Sequence, residues 1–228
     1  MKTLNILLSI TRLSFIKSEI DRLIGYSVLF SLSLVIFRIW YTQEPIFIFM
    51  PWNLFLAYLP YQLLKIFKPS AKDLKSKLLF SGVFVVWLLL IPNAFYMITD
   101  LFHLMQRENI PLWFDLVLLM SFAWNGMILG FLSVRQMEKN LSLILPGLRE
   151  GLFVSLIMFL NSFGVYLGRY LRFNSWDIIS NPFNLAKEMG LLLIHPLDNR
   201  AAWAMILAFT IMMTIIYKML KKLSRQLF

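Results

Sequence analysis

The sequence predicts an all-α integral membrane protein, a polytopic bundle of about six transmembrane helices that forms one domain over residues 1–228. Three observations lead to this prediction. The 228-residue chain is 59% hydrophobic and has a mean hydropathy of +0.72. It contains six apolar runs near the roughly 20 residues that a helix needs to cross a hydrocarbon core about 30 Å thick. The basic residues between these runs alternate between dense and sparse.

The apolar runs follow one another through most of the chain. They are 23–41, 46–67, 78–99, 112–134, 151–171 and 201–219. We expect Pro60 to kink the second run, because proline removes a backbone donor and crowds the preceding turn. In the longest connector, Asn181-Pro182 is a helix-start signal. It predicts a short interfacial helix over 182–194 on the outer surface, with a re-entrant segment as the alternative.

The positions of the cations predict the orientation. One set of connectors carries most of the basic residues: Lys2, Arg12, Lys17, Arg22, Lys65, Lys68, Lys72, Lys75, Lys77, Arg135, Lys139, Arg149, Lys218, Lys221, Lys222 and Arg225. The other set carries Arg38, Arg107, Arg169, Arg172, Lys187 and Arg200. By the positive-inside rule both termini are cytoplasmic, which agrees with an even number of spans.

Composition also narrows the possible functions. The chain has no cysteine, so disulfides and thiolate chemistry are excluded. The net charge of +10 indicates contact with anionic membrane lipids, since no basic patch is interleaved with exposed stacking aromatics as in a nucleic-acid interface. We therefore expect membrane lipids as partners and no nucleic acid.

Polar residues inside the apolar runs mark the candidate site. Asn93, Tyr96, Asp100 and His103 have helical spacing and fall on one stripe that reaches the outer interface. Ionisable groups at such depths normally face the bundle interior and pair, so we expect Asp100, Arg169 and Asp115 to form an outer cluster. The predicted ligand-binding residues are Asn93, Tyr96, Asp100, Asp115, Arg169, Arg172 and Trp176. The alternative is that these charges form only a structural network.

Two further patterns concern helix packing and metal binding. Gly126-x-x-x-Gly130 and Gly164-x-x-x-Gly168 predict close helix approach. The two histidines each lie three positions from an aspartate, and the weak metal candidates are His103, His195 and Asp198 together with Asp100. Because Pro196 breaks the helical spacing after His195, we predict no metal site, and no cofactor motif is present.

The stretches WNLFLAYLPY (52–61), PNAFYMITDL (92–101), WFDLVLLMSFAWNGMILGFLSV (113–134) and GVYLGRYLRFNSWD (164–177) resemble those of the domain-of-unknown-function family 1361, bacterial multi-pass membrane proteins. The resemblance implies a bacterial origin and a cell-membrane location, and it brings no known activity or catalytic residue.

The sequence favours a non-catalytic role, as a small binding, accessory or assembly protein for a lipid, for another membrane protein or for a second copy of the chain. One alternative is a transporter-like or channel-like subunit. Another is an integral-membrane enzyme that acts on a lipid-linked substrate at the outer leaflet, with Asp100 or Asp115 as the base and Arg169 and Arg172 holding phosphate.

Overall fold

The computed structural model describes residues 19–67, 74–145, 147 and 149–226, and these ranges contain helices and no β-strand. The helices are α1 (Glu19–Thr42), α2 (Phe49–Ile66), α3 (Leu74–Leu90), α4 (Pro92–Tyr96), a 3₁₀ helix (Met97–His103), α5 (Leu112–Ile144), α6 (Glu150–Arg169), α7 (Asp177–Ser180), α8 (Pro182–Ile194) and α9 (Arg200–Gln226). Several cations used to predict the orientation, Lys2, Arg12, Lys17, Lys68 and Lys72, lie outside the described residues.

Within the described ranges, five helical stretches are long and apolar enough to cross a membrane. They are Glu19–Thr42, Ser76–His103, Leu112–Ile144, Glu150–Arg169 and Arg200–Ser224. The predicted run 46–67 does form a helix, α2, but its 18 residues include two prolines as well as Asn53, Gln62 and Lys65, and it is not one of the five. The all-α class is therefore confirmed, and five helices are candidate membrane spans, whereas the count of six spans is not confirmed.

The helical structure of the third apolar run continues beyond its predicted end and changes there from α-helix to 3₁₀ helix. The chain turns at Ile91, and Pro92, which has no backbone N–H to donate, opens α4 at its first helical position. The helix then tightens to 3₁₀ geometry over Met97–His103. As a result the polar stripe predicted here ends in a segment with three residues per turn.

Helix α5 is the centre of the bundle and packs against α1, α2, α4, α6 and the 3₁₀ helix. Its buried face includes Leu118, Leu119, Phe122 and Leu129. A hydrogen bond from Asn125 Nδ2 to the hydroxyl of Ser31 on α1 joins two antiparallel helices at 2.9 Å. Such bonds are worth about 0.6 kcal/mol in membrane bundles, so packing supplies most of the association energy.

Both glycine motifs pack against one short segment, α4. A Cβ added at Gly126 would lie 2.6 Å from the carbonyl oxygen of Ala94, and one at Gly130 would lie 2.8 Å from the Phe95 ring. On the opposite side, a Cβ at Gly164 would lie 2.9 Å from the Pro92 ring. The predicted close approach is present, and its partner is the Pro92–Tyr96 helix, which is wedged between α5 and α6.

The helix predicted over 182–194 is present as α8. Its Leu192 belongs to a small second core with Phe163 of α6 and Ala202 and Ile206 of α9. The indole N–H of Trp203 donates to the Leu192 carbonyl oxygen at 3.2 Å. This contact fixes α8 against the ends of α6 and α9, where it forms one wall of the cavity described next.

Candidate functional site

A cavity of about 660 Å³ lies between α2, α4, α6 and α8, within the size range of small-molecule sites. Most of its wall is apolar, with side chains that include Leu56, Leu89, Leu160, Leu185 and Met189. The polar lining residues are Asn53, Asn93, Tyr96, Asp100, His103, Asn174 and Ser175. The cavity is therefore amphipathic, with a hydrocarbon-like body and a polar part.

The polar part is organised by the ion pair between Arg169 and Asp100. Arg169 Nη2 donates to Asp100 Oδ1 at 2.8 Å, and Asn53 Nδ2 donates to the other carboxylate oxygen at 3.0 Å. Arg169 also donates through Nε to the Thr99 hydroxyl at 2.9 Å, and its Nη1 lies 3.1 Å from Nε2 of His103. Asp100 is only 1% exposed, so this pairing neutralises a carboxylate that could not remain charged there alone.

Tyr96 completes this arrangement from α4. The guanidinium carbon of Arg169 lies 4.8 Å from the centroid of the Tyr96 ring. The same ring lies against Gly168, where an added Cβ would approach it to 3.2 Å. The glycine thus lets the ring sit flat between α6 and the cavity, with Arg169 held over its face.

Asp115 does not belong to this group, although the sequence analysis expected one shared cluster. Its carboxylate accepts from Arg38 Nε at 2.8 Å and lies 3.5 Å from Arg107 Nε. Arg38 is fully buried, and its guanidinium carbon lies 4.7 Å from the centroid of the Phe47 ring. The expected single cluster is therefore two separate ion pairs, because α5 turns Asp115 toward α1 rather than toward α6.

Sequence reasoning missed the role of Arg38 because it counted this residue only as a cation of the outer side. The signal that could have found it is its position inside the apolar run 23–41. An arginine three residues before the end of this run needs a buried acceptor, and Asp115 is one of the two carboxylates at the matching depth.

The loop after α6 covers one side of the cavity. Asn93 Nδ2 donates to the Leu90 carbonyl oxygen at 2.9 Å and to the Ser175 hydroxyl at 3.2 Å, and Ser175 in turn donates to the Leu89 carbonyl oxygen at 2.7 Å. Trp176 follows and lines the cavity while remaining about half exposed. Asn93 therefore ties the loop to the break between α3 and α4.

Asp177 holds the same loop in shape. Its carboxylate accepts from the backbone N–H of Asn174 at 2.6 Å and from the Ser180 hydroxyl at 2.8 Å. The Asn174 N–H, with help from Ser180, lowers the pKa of the Asp177 carboxyl below its ordinary value. This side chain thus remains ionised over the whole neutral range.

The other predicted residues lie apart from the cavity. Arg172 is exposed, has a left-handed φ of 59° where the chain reverses after α6, and does not line the cavity. His195 lies 3.8 Å from Asp198, and both side chains are mostly exposed. His103 lies at the cavity, and within the described ranges no group of three or more potential ligands could hold a metal ion.

Two further groups of charged residues lie at the opposite end of the bundle. Glu138 of α5 is nearly buried and accepts from Tyr217 at 2.6 Å and from Lys221 at 2.5 Å, and Lys221 also bonds Glu150 at 2.7 Å. Next to these helices, Asp21 of α1 bonds Tyr61 at 2.7 Å and Lys65 of α2 at 2.6 Å. The described part of the bundle thus carries ion pairs at both ends.

The chain matches one known protein family over most of its length. The family described as Protein of unknown function (DUF1361) has a sequence model that matches residues 52–216, which is well over half of the chain. The chain belongs to the DUF1361 family. The part of this DUF1361 protein that matches includes every residue lining the cavity from Trp52 to Met189. Comparisons with curated proteins and with solved structures found no match.

Proposed function

We propose that this protein is a six-span protein of the bacterial cell membrane that binds an amphipathic lipid in its outward-facing cavity, as a small binding or accessory protein. One observation carries the proposal: the cavity combines hydrocarbon walls with a polar part built around Asp100 and Arg169. A lipid places an acyl chain and a headgroup next to each other in the same way. The acyl chain of a bound lipid would contact the apolar walls of the cavity in place of lipid from the bilayer.

Binding fits the polar part better than acid–base catalysis does. Both oxygens of Asp100 already accept hydrogen bonds, from Arg169 and from Asn53. Asp115 is 1% exposed and lies outside the cavity lining. A general base must reach the proton that it abstracts within about 2.6–3.2 Å; Asp115 lies outside the cavity, and Asp100 is held by Arg169 and Asn53 as part of an ion pair.

The six-span topology is supported by α2, which runs from one charged end of the bundle to the other. Its Asn53 bonds Asp100 at one end, and its Lys65 bonds Asp21 at the other. At about 1.5 Å per residue, Asp115 and Glu138 on α5 are about 35 Å apart, close to the thickness of a hydrocarbon core. By the same rise the 18 residues of α2 extend about 27 Å. We therefore infer that α2 also crosses the membrane, and that the cavity opens on the side away from both termini.

Filling the cavity tests lipid binding. Leu160 lines the cavity, whereas Leu156, one turn earlier on the same face of α6, does not and is 53% exposed. Leu160→Trp should remove most lipid that co-purifies with the protein in native mass spectrometry, and Leu156→Trp should leave the bound lipid unchanged. Equal lipid retention by both variants would show that lipid does not occupy this cavity.

Reporter fusions test the topology. Fusions at residue 142, in the α5 end that carries Glu138, and at the C-terminus should report the cytoplasm. A fusion at residue 185, within α8, should report the outer side. A cytoplasmic signal at residue 185 would invert or break the six-span arrangement with cytoplasmic termini, without bearing on whether a lipid occupies the cavity.

A further inference from the structure

The polar part of the cavity offers hydrogen-bonding groups but no unpaired charge. Among the described residues that line it there is no lysine or arginine, and its carboxylate, Asp100, is paired with Arg169 at 2.8 Å. Arg169 in turn directs all three of its nitrogens to Thr99, His103 and Asp100. A phosphate headgroup would therefore find no free guanidinium or ammonium group, and a cationic headgroup would find no free carboxylate.

Several neutral polar atoms remain available at the cavity wall. The Tyr96 hydroxyl has no hydrogen-bond partner among the described residues. Asn53 and Asn93 use their amide nitrogens to bind Asp100 and Leu90, which leaves both Oδ1 atoms as acceptors. Because a guanidinium can only donate, Nε2 of His103 accepts from Arg169, and the ring hydrogen on Nδ1 is a free donor. Such a mixed set of donors and acceptors matches hydroxyl groups, which both donate and accept.

Aromatic rings surround this polar part. Phe49, Trp52, Tyr96, Phe173 and Trp176 all line the cavity, and Trp52 and Trp176 are about half exposed at its edge. An aromatic side chain can cover the C–H face of a ligand's saturated ring, and the hydroxyl groups of that ligand then remain free to bond other residues. Sugar rings present such a C–H face next to a rim of hydroxyl groups.

Resting on the lipid-binding function proposed above, we propose that the bound lipid has an uncharged, hydroxyl-rich headgroup, as in a glycosyl lipid, and not a phosphate headgroup. The hydroxyl groups bond Tyr96, Asn53, Asn93 and His103, and Trp52 and Trp176 cover the ring. The apolar wall of α6 and α8 takes the hydrocarbon chain. This assignment differs from the phosphate site that Arg169 and Arg172 suggest from sequence alone, because neither arginine lines the cavity.

Native mass spectrometry of the delipidated full chain, in a detergent without a sugar headgroup, tests the assignment. The three probes are monoglucosyl diacylglycerol, phosphatidylglycerol with identical acyl chains, and free glucose. We expect the glucosyl lipid to bind at least about tenfold more tightly than phosphatidylglycerol, because the anionic headgroup loses hydration without gaining a cation. Glucose alone should not bind measurably, since it lacks the chain.

Two conservative variants locate the contact. Tyr96→Phe keeps the ring under Arg169 and removes only the hydroxyl, so it should weaken glucosyl-lipid binding by about fivefold and leave phosphatidylglycerol binding unchanged. Trp176→Ala should weaken glucosyl-lipid binding by about tenfold. The matched controls Tyr26→Phe and Trp113→Ala change exposed residues outside the cavity and should have no effect.

The outcomes separate the two proposals. If phosphatidylglycerol binds as tightly as the glucosyl lipid and Leu160→Trp abolishes both, the headgroup assignment is wrong while lipid binding stands. If both lipids bind regardless of Leu160→Trp, or glucose binds as tightly as its lipid, the proposed function is itself wrong. Full retention of the glucosyl-lipid preference in both Tyr96→Phe and Trp176→Ala would also overturn the headgroup assignment.

Discussion

Placing one methyl group at Gly126 should destabilise the whole bundle, because this glycine lets α4 approach α5 without a gap. An alanine Cβ there would lie 2.6 Å from the Ala94 carbonyl oxygen and 2.8 Å from the Met97 sulfur. Ordinary contact begins at 3.4 Å, so the two segments must separate by about 0.8 Å, and overpacking of this kind costs about 1–3 kcal/mol. The upper part of that range applies, since the nearest atom belongs to the backbone and cannot rotate away.

Gly126→Ala should therefore lower the free energy of unfolding by about 2–3 kcal/mol, equivalent to a fall in melting temperature of about 4–12 °C for a chain of this size. Thermal unfolding in lipid nanodiscs, followed by tryptophan fluorescence, measures the shift. The matched control is Gly82→Ala in α3, where an added Cβ meets nothing within 4 Å; removing a mid-helix glycine there should raise stability by up to about 1 kcal/mol. Equal effects of the two substitutions on the melting temperature would refute the close packing of α4 between the glycine motifs.

Three further predictions concern charges. In a double-mutant cycle, Arg169→Met and Asp100→Asn should each destabilise the protein, and the double variant should recover about 1–3 kcal/mol relative to additivity; simple addition would mean that the pair contributes nothing. Arg38→Met should cost about 3–5 kcal/mol in urea or thermal unfolding because it leaves Asp115 buried without its closest cation, and a change below 1 kcal/mol would contradict that burial. The lowered pKa of Asp177 means that its stabilisation of the cavity-covering loop holds at neutral pH and is lost as the pH falls through that lowered value. Limited proteolysis of this loop should therefore increase at acid pH in the wild type relative to Asp177→Asn, which lacks the titrating carboxyl group.

The sequence predicted which residues lie at the candidate site better than it predicted which of them pair with one another. The spacing of Asn93, Tyr96, Asp100 and His103 placed all four on one stripe, and all four line the cavity. The prediction was possible because helical periodicity is a local property of the sequence. In the 3₁₀ segment, which has three residues per turn, Asp100 and His103 are one turn apart and remain on the same side. The partner of Arg169 within the predicted cluster could not be chosen from the sequence, because Asp100 and Asp115 have similar predicted depths along the membrane.

The choice of ionic partners depends on the rotation of each helix about its own axis. Asp100 and Asp115 have similar predicted depths, yet one faces α6 and the other faces α1. A rotation of α5 by about half a turn would exchange its partners without changing any run of hydrophobic residues. That rotation is set by how Gly126 and Gly130 receive α4, which is a contact between segments about 30 residues apart in the chain.

From the amino-acid sequence it was possible to predict the class of this protein, its helical content, the positions of its apolar helices and the residues that must avoid lipid. These properties follow from hydrophobicity and from local helical spacing, since lipid offers no partner to a polar group. Three features could be seen only in the folded chain: α4 lies between two glycine motifs, the charges separate into distinct pairs, and an amphipathic cavity lies between α2, α4, α6 and α8. Close packing sets all three, because it depends on the shapes of side chains that meet across long stretches of sequence.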